Sequence, residues 1–550
     1  MGDDKRLKHF RQVLLWPVQL LPLERTATID AHWERLIDPA SGGVWSEVDD
    51  EFGDPAEFQA RHYNEFVTFL PQAQRFLYGQ GIGKRVGKWY GESPMRVMRR
   101  SDIVQARVAL NEGEEPILLD IKHIDLYFFF DIDIVILALE IFRDDIALST
   151  AQHLMFRFGR AYPAYWEKDG RGGHCPWKVE WISQSGDIIA VSDYERREKY
   201  LSFVCQHRAP ATAAHWDQML APLVLHHSDK AGDVRYRQLE YYRMPYMAFL
   251  ALDEGTTLSR SDNIRLALGN EPADETDLPY SESYLADFER RYCYDRYFLK
   301  AGGEDVSGTR FLAGGNTLVV IGQANDRFFM DADHGVLARF RHQHFLMFLI
   351  AHFQKAAIRM FSDRLVGAVS RLDITDSKAN RAFRRETREA HENFLRFSHR
   401  YWLQEISNQA QTRELFEMTR IQLKLESIYR EVRDELYDMD RLLEEEAARR
   451  QNDTVVRLTV VTTFGLIGTV TTGFLGMNLF GFTEQQPAWK LAIFLTVFVP
   501  TMLLTLYTVM KSKRLSDFLD ALADERRTWN SRIRALLRVW SGRSGNGPSA

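Results

Sequence analysis

The chain has 550 residues, of which 45% are hydrophobic and 27% charged, and its formal net charge is −6. This length suffices for two or three folding units, each with its own core. The mild acidity argues against nucleic-acid binding, which usually needs a clustered basic surface, and a mean hydropathy of −0.32 limits any membrane part to a small share of the chain. Cys175, Cys205 and Cys293 form no CxxC pair, which indicates reduced cytosolic thiols.

The N-terminal region predicts a cytosolic domain. MGDDKRLKHF lacks signal-peptide character, and the LLWPVQLLPL that follows is short and holds two prolines, so neither is expected to enter a membrane. The segments VQARVAL, PILLDIKHIDLYFFF and DIVILALEIF are rich in β-branched and aromatic residues, as strands are. LSTAQHLMFRFGRAY and GVLARFRHQHFLMFLIAHFQKAAIRMF favour helices, and a hairpin is expected across Gly314-Gly315. Residues 1–375 are therefore predicted to form an α+β or α/β domain.

A helical hairpin and stalk are predicted for residues 376–454. No Gly or Pro occurs between Ala368 and Phe464, and apolar residues recur at steps of three or four from Ile421 to Leu443. This is the stripe of a helix that packs in a bundle. We expect one helix from Thr412 to Asn478, about 100 Å long at about 1.5 Å per residue, with a shorter helix from roughly Lys378 to Glu405 folded back against it.

Two apolar segments are long enough to cross a bilayer core of about 30 Å. The predicted spans are residues 455–478 and 489–510, joined by an external loop at 479–488 and followed by a cytosolic tail at 511–550. Trp489 suits the membrane interface, and the KSKR that follows the second span marks the cytosolic side. The sequence therefore predicts a multi-pass protein of the cell (plasma or inner) membrane with both termini in the cytoplasm.

The first span carries a polar stripe that lipid would not favour. Five residues fall on one face at steps of four, three, four and three: Thr462, Leu466, Thr469, Gly473 and Gly476. Such a face suits close helix packing around an axis, with hydroxyl groups turned to water. Packing without a pore is the alternative interpretation. Because two spans are too few to enclose a pore, the pore hypothesis requires a homo-oligomer.

The triplet Gly476, Met477 and Asn478 ends this span. In a symmetric ring of helices the Asn478 carbonyl groups would meet at the outer mouth. Mg²⁺ gives up its water reluctantly, and neutral carbonyl groups can hold the hydrated ion without the tight binding that carboxylates would give. Gly476 lets the backbone turn, and Met477 supplies a soft apolar contact. We interpret the triplet as an ion-selectivity site.

A long helix that enters a span ending in GMN, a short loop, a second span and a basic end resembles the CorA family of divalent-cation channels, to which ZntB-like zinc transporters belong. The resemblance covers about residues 380–514. It implies a pentamer that transports divalent cations, Mg²⁺ first, with no other cofactor. Its pore-lining positions fall, without gaps, on Asn452, Val455, Leu458, Leu466 and Thr469. Three departures leave the ion open: Leu475 stands where an aromatic residue is common, the loop offers only Glu484 where magnesium members have MPEL, and the tail after KSKR is longer than usual.

Other motifs carry less weight. YGQGIGKRVGK at 78–88 lacks the Walker spacing. His342, His344 and His352 lie on an apolar helix without carboxylates or cysteines at ligand spacing, which favours a core role over a metal site. Asp131 and Asp133 are expected to end a buried strand. Stalk carboxylates such as Glu417, Asp434 or Asp438 could bind cytosolic cations between subunits, although a solvated face is the simpler interpretation. No Ser-His-Asp or Cys-His grouping is identifiable, so no enzymatic activity is predicted. A membrane-tethered signalling or scaffold protein without transport is the alternative function.

Overall fold

The computed structural model divides the chain into two compact units, Met1–Tyr437 and Asp438–Ala550. The residues that it describes are 5–22, 33–37, 43–48, 60–79, 93–130, 132–232, 234–240, 242–272, 278, 280–301, 304–370, 377–477 and 487–510.

One sheet organises the N-terminal unit. Within the described ranges it has fourteen strands, which are β1 Arg6–Pro22, β2 Trp45–Glu47, β3 Met95–Arg100, β4 Ile103–Ala109, β5 Ile117–Phe129, β6 Ile132–Ala147, β7 Lys178–Ser183, β8 Ile188–Val191, β9 Val224–Leu225, β10 Val234–Gln238, β11 Tyr246–Leu252, β12 Cys293–Ala301, β13 Glu304–Ala313 and β14 Thr317–Gln323. Their order in the sheet is β12-β13-β14-β11-β1-β6-β5-β4-β7-β8, with β10 beside β1, β9 beside β10, and β3 and β2 beyond β5.

The first strand lies at the centre of this sheet. β1 pairs antiparallel with β6 along nearly its whole length, for example Leu14 with Leu139. On its other side it pairs with β11 through Leu7–Leu14 and with β10 through Val18–Pro22. β11 and β14 run parallel. Residues 14–22 of the apolar segment LLWPVQLLPL, which the sequence leaves without an assignment, therefore belong to a central strand.

The central strands are buried on both faces. Successive side chains of a strand point to opposite sides of the sheet, and neighbouring residues of β5 show that both sides are covered. On β5, Phe128 belongs to the main apolar core, which also contains Leu154 of the helix after β6 and Trp216. The next residue, Phe129, stacks at 3.8 Å between ring centroids on Phe353, which belongs to a long helix on the other face. Burial of each such side chain contributes about 1.5–3 kcal/mol. Because both faces are buried, the sequences of these strands are nearly continuous runs of apolar residues.

Helices pack on the sheet, and one of them, Leu425–Gly476, continues into the second unit. They are α1 Glu34–Ile37, α2 Ala60–Thr68, α3 Pro71–Tyr78, α4 Leu148–Arg157, α5 Arg197–His207, α6 Ala214–Leu220, α7 Arg260–Leu268, α8 Glu282–Tyr292, α9 Arg327–Met330, α10 Val336–Arg339, α11 Phe345–Ser370, α12 Ser377–Arg400, α13 Ala410–Gln422, α14 Leu425–Gly476 and α15 Pro487–Met510. A π-helical turn, Phe340–His344, joins α10 to α11.

The predicted elements of the N-terminal region are confirmed. VQARVAL is β4, PILLDIKHIDLYFFF is β5 and DIVILALEIF is β6. The expected hairpin is β13–β14, whose turn contains Gly315 at φ +79°, a conformation that glycine adopts without strain. The helix predicted over 148–162 ends early, at Arg157. The chain then passes close to Leu14: a Cβ atom at Gly159 would lie 2.7 Å from Leu14 Cδ2, and the leucine side chain would have to shift.

The prediction of one unbroken helix from Thr412 to Asn478 is wrong. α13 ends at Gln422 and α14 begins at Leu425, because Lys424 adopts a left-handed backbone with φ 56°. The apolar stripe changes with it: Ile421 is exposed, whereas Val432 and Leu436 are buried. No Gly or Pro marks the break.

The second unit contains the remainder of α14, up to Gly476, and α15. Their positions coincide with the two apolar segments of the sequence. As far as its helices are described, none is both long and apolar enough to cross a membrane.

Candidate pore-lining site

The predicted pore-lining residues form one face of α14. At roughly 100° per residue, they lie within about 60° on either side of one direction. The residues are Asn452, Val455, Leu458, Thr462, Leu466, Thr469 and Gly473, and all are part of the helix. The common face expected from the sequence is therefore present within the single chain.

This face is open to solvent. The exposed fractions of Val455, Leu458 and Leu466 are 53%, 62% and 63%, whereas Ile467 and Thr471 are only 4% and 1% exposed. Ile467 and Thr471 are one helical turn apart and lie on another side of the helix. The apolar side chains of the candidate face thus have little cover from their own chain, while the Ile467–Thr471 side is packed.

Threonine hydroxyl groups on this face bond to their own helix. Thr462 Oγ1 donates to the carbonyl of Leu458 at 3.0 Å, and Thr469 Oγ1 donates to the carbonyl of Gly465 at 2.9 Å. A hydroxyl group that donates its only hydrogen in this way can still accept hydrogen bonds through the lone pairs of its oxygen. Water molecules around a cation direct their hydrogens outward, so such oxygens can receive a hydrated ion.

The glycines of α14 have free space around them. A side chain at Gly473 or Gly476 would meet no other atom within 4 Å. These glycines are therefore not required for packing inside the single chain.

The ion-selectivity triplet is only partly described. Gly476 is the last residue of α14, and Met477 follows in a turn with 61% of its surface exposed. Asn478 and the loop residue Glu484 lie outside the described residues. Their roles stay predictions.

Of the three candidate histidines, His344 and His352 lie in the core, whereas His342 is partly exposed. His344 and His352 are fully buried, and burial lowers the pKa of both imidazoles, that of His344 to about 3. His352 Nε2 is 3.1 Å from the carbonyl oxygen of Gly315, and His342 Nδ1 is 3.1 Å from a Glu65 carboxylate. In the part of the chain that is described, no group of three His, Cys, Asp or Glu residues is placed to hold a metal ion.

The remaining candidates show no common site. Asp133 lies inside β6 and pairs with Arg364, so it does not end the strand as expected. Asp131 and most of the glycine-rich segment at 78–88 are outside the described residues. On the stalk, Glu417 and Asp438 are exposed, and Asp434 pairs with Arg433 at 3.0 Å.

Two features of α14 were missed by sequence reasoning. Ile467 and Thr471, on the packed side of the helix, have an i, i+4 spacing that is visible in the sequence. The nearby Thr462 and Thr469 instead indicated the opposite, candidate pore-lining face. The break before α14 depends on Lys424, and a lysine gives no signal for a left-handed backbone.

A mixed α/β N-terminal unit and a helical C-terminal part fit the architecture of CorA-type cation transporters. Residues 354–514 match the family model described as "CorA-like Mg2+ transporter protein", and this match supports the predicted membership of the CorA family. The match covers less than a third of the chain. The match supports divalent-cation transport in general. The CorA family consists of transporters and channels rather than enzymes.

The other comparisons add little. No curated protein matches the chain. A solved structure, "structure of the full-length CmaX protein", matches with 15% identity over 48% of this chain and 89% of its own, at a TM-score of 0.19. A similarity at this score carries no structural argument.

Proposed function

We propose that this chain is the subunit of a homopentameric channel that moves divalent metal cations, Mg²⁺ first, across the cell membrane. One observation carries the proposal: the candidate pore face of α14 is open in the single chain, within a region that matches a CorA-like family model. A ring of subunits would turn this face toward a shared axis. The five-fold number rests on the resemblance to the family.

The proposed membrane topology rests on the sequence. Residues 455–478 form the first span and 489–510 the second, and the KSKR motif and both termini are cytoplasmic. The loop at 479–488, with Glu484, is on the outside. Pro500 within α15 is acceptable in a span where neighbouring groups satisfy the carbonyl that it leaves free.

The proposed pathway runs along α14. Asn478 carbonyls receive the hydrated ion at the outer mouth, and Thr469 forms a second ring of acceptors. Leu466 and Leu458 form apolar rings that close the pore by excluding water, and Asn452 forms the inner polar ring. The membrane potential drives entry, because a divalent ion gains about 4.6 kcal/mol per 100 mV on moving inward.

Ion uptake by the wild-type chain tests the function. The purified protein is reconstituted into vesicles at a fixed inside-negative potential, and entry of Mg²⁺, Co²⁺, Ni²⁺ and Zn²⁺ is followed with indicator dyes. We expect Mg²⁺ to enter fastest and the rate to fall when the potential is abolished. Preference for Zn²⁺ would replace the magnesium assignment with a ZntB-like one. If none of the four ions enters, the tether function replaces transport.

A further inference from the structure

A small cavity lies between α7 and the strands β11 to β14 of the sheet. It encloses about 40 Å³, which is room for about three water molecules, since each water needs about 10–15 Å³. Leu252, Leu258 and Ile321 give the cavity an apolar floor and are nearly fully buried, whereas Thr257 of the lining is exposed. The cavity therefore opens to solvent beside Thr257 and can admit a small solute.

Arg310 of β13 supplies the positive charge in the lining, and this charge is already paired. Only 4% of the residue is exposed. Its Nε and Nη2 donate to Asp295 Oδ1 and Oδ2 at 2.8 and 3.0 Å, and the guanidinium lies over the Phe298 ring at 4.9 Å. Within the described chain its third nitrogen, Nη1, has no hydrogen-bond acceptor and is not closed off from solvent. Arg310 can therefore donate to a ligand while its charge stays balanced.

Two side-chain amides of the lining are held by the backbone of the loop before α7 and its first turn. Asn263 Nδ2 donates to the carbonyl of Ser259 at 3.0 Å, and Gln323 Nε2 donates to the carbonyl of Thr256 at 3.1 Å. Among the described residues neither Asn263 Oδ1 nor Gln323 Oε1 receives a hydrogen bond. Asn263 is only 5% exposed, and a polar atom so deep in a protein normally has a partner. The two amide oxygens are therefore acceptors that await a donor.

We propose that this cavity binds a small α-amino acid, whose carboxylate accepts from Arg310 and whose ammonium group donates to the amide oxygens of Asn263 and Gln323. The lining offers a donor and two acceptors, so a ligand that carries both kinds of group satisfies them together. Because Asp295 already neutralises Arg310, a net-neutral zwitterion adds no uncompensated charge, whereas a simple anion or cation would. The volume limits the ligand to about the size of glycine or alanine.

A series of ligands tests the proposal without any substitution. The full-length protein in mild detergent is titrated with glycine, L-alanine, L-leucine, acetate and methylammonium, and binding is followed by saturation-transfer-difference NMR. We expect glycine and L-alanine to bind saturably in the millimolar range and to displace each other. Acetate and methylammonium each carry only one of the two charged groups and should bind about tenfold more weakly or worse. L-Leucine exceeds the cavity and should not compete.

Substitutions then locate the binding. Gln323→Met removes one acceptor with little change in volume and should weaken glycine binding about tenfold. Gln105→Met is the matched control, because Gln105 is also a half-buried strand residue whose amide donates, to Asp120 at 2.8 Å, and it is not part of the lining. It should leave binding unchanged. The double variant Arg310→Met with Asp295→Leu removes both charges, so that no carboxylate loses its partner, and it should abolish binding.

Several results would overturn the proposal. If neither glycine nor L-alanine binds saturably, the cavity holds only water. Acetate, methylammonium or L-leucine binding as tightly as glycine would contradict the two-ended ligand, and unchanged glycine binding in a folded Gln323→Met would place the ligand elsewhere. If a variant fails to fold, as judged by its melting temperature, the ligand series decides. These measurements involve no transported ion and no membrane potential, so failure of the amino-acid site and failure of the proposed transport are distinguishable.

Discussion

His344 illustrates what full burial does to a single titratable residue. Its ring packs edge-on against Phe311 with centroids 5.5 Å apart, and among the described residues neither ring nitrogen has a hydrogen-bond partner. Burial, aided by the charge of Arg339, lowers the pKa of His344 to about 3. An unfolded chain would take up the proton near pH 6.5, so the folded state loses stability as the pH falls from about 6.5 toward 3, and the loss is complete only below the lower value.

We expect His344→Leu to reduce this acid sensitivity. Between pH 7.5 and 5.5 the wild-type residue costs about 1.4 kcal/mol of unfolding free energy, which corresponds to roughly 1–2 °C in melting temperature for a unit of this size. The fall in melting temperature from pH 7.5 to 5.5, measured on the full chain by tryptophan fluorescence, should be smaller in the variant by about that amount. The exposed His399→Leu is the control. An equal fall in His344→Leu and wild type would show that His344 does not carry the effect.

Pro17 shows why one strand escaped prediction. A proline inside a central strand removes a ladder hydrogen bond, so LLWPVQLLPL does not read as a strand. In the fold, the Leu15 amide donates to the carbonyl of Pro245 at 2.8 Å, and the nitrogen of Pro17 points to the same side. On that side β1 pairs with β11 only up to Leu14 and with β10 only from Val18. Pro17 lies in the gap, which only the tertiary structure reveals.

Among the elements, the sequence pattern predicted those helices and strands whose formation depends on residues close together in the chain. The three buried strands, the Gly314-Gly315 hairpin and the helical character of residues 410–476 follow from composition and spacing alone. The break at Lys424 does not, because packing of Gln422 on the β13–β14 turn and of Tyr429 on Trp402 determines it. Both contacts join residues far apart in the sequence, and helix propensity there is overridden by tertiary packing.

The candidate gate on α14 gives a prediction at this scale. If Leu458 forms an apolar ring that closes the pore, Leu458→Asn should let water into it and raise basal divalent uptake several-fold. Leu503 on α15 is a matched control, since it is the same residue type with the same exposed fraction of 62%. Leu503→Asn should leave uptake unchanged. Uptake that stays at the wild-type level in Leu458→Asn, with the oligomer intact, would mean that Leu458 only packs.

For the whole molecule, the sequence located the CorA-like region because its features are short-range: a triplet, two apolar segments and a basic end. The family match at 354–514 includes all of them. The fourteen-stranded sheet could not be predicted, because its order places β1 between β6 and β11, and pairings between strands so distant in the chain leave no local signal.

Assembly gives a second prediction at this scale. An open apolar face that carries Leu458 and Leu466 should be covered by other copies of the chain, in a closed symmetric ring. Native mass spectrometry in mild detergent should therefore give one oligomer, five times the 64.0 kDa of the chain. A strictly monomeric mass would contradict the pore arrangement, and another closed number would correct only the five-fold count.

Uptake by two variants of Asn478 tests most directly whether this residue receives a hydrated divalent cation. Asn478→Leu removes the carbonyl acceptors and is expected to abolish Mg²⁺ uptake into vesicles at fixed potential, with oligomer mass unchanged. Asn478→Asp keeps the shape and adds charge, so it should tighten capture and weaken discrimination among Mg²⁺, Co²⁺, Ni²⁺ and Zn²⁺. Normal uptake by Asn478→Leu would contradict the account, because the triplet would then end the helix for packing alone.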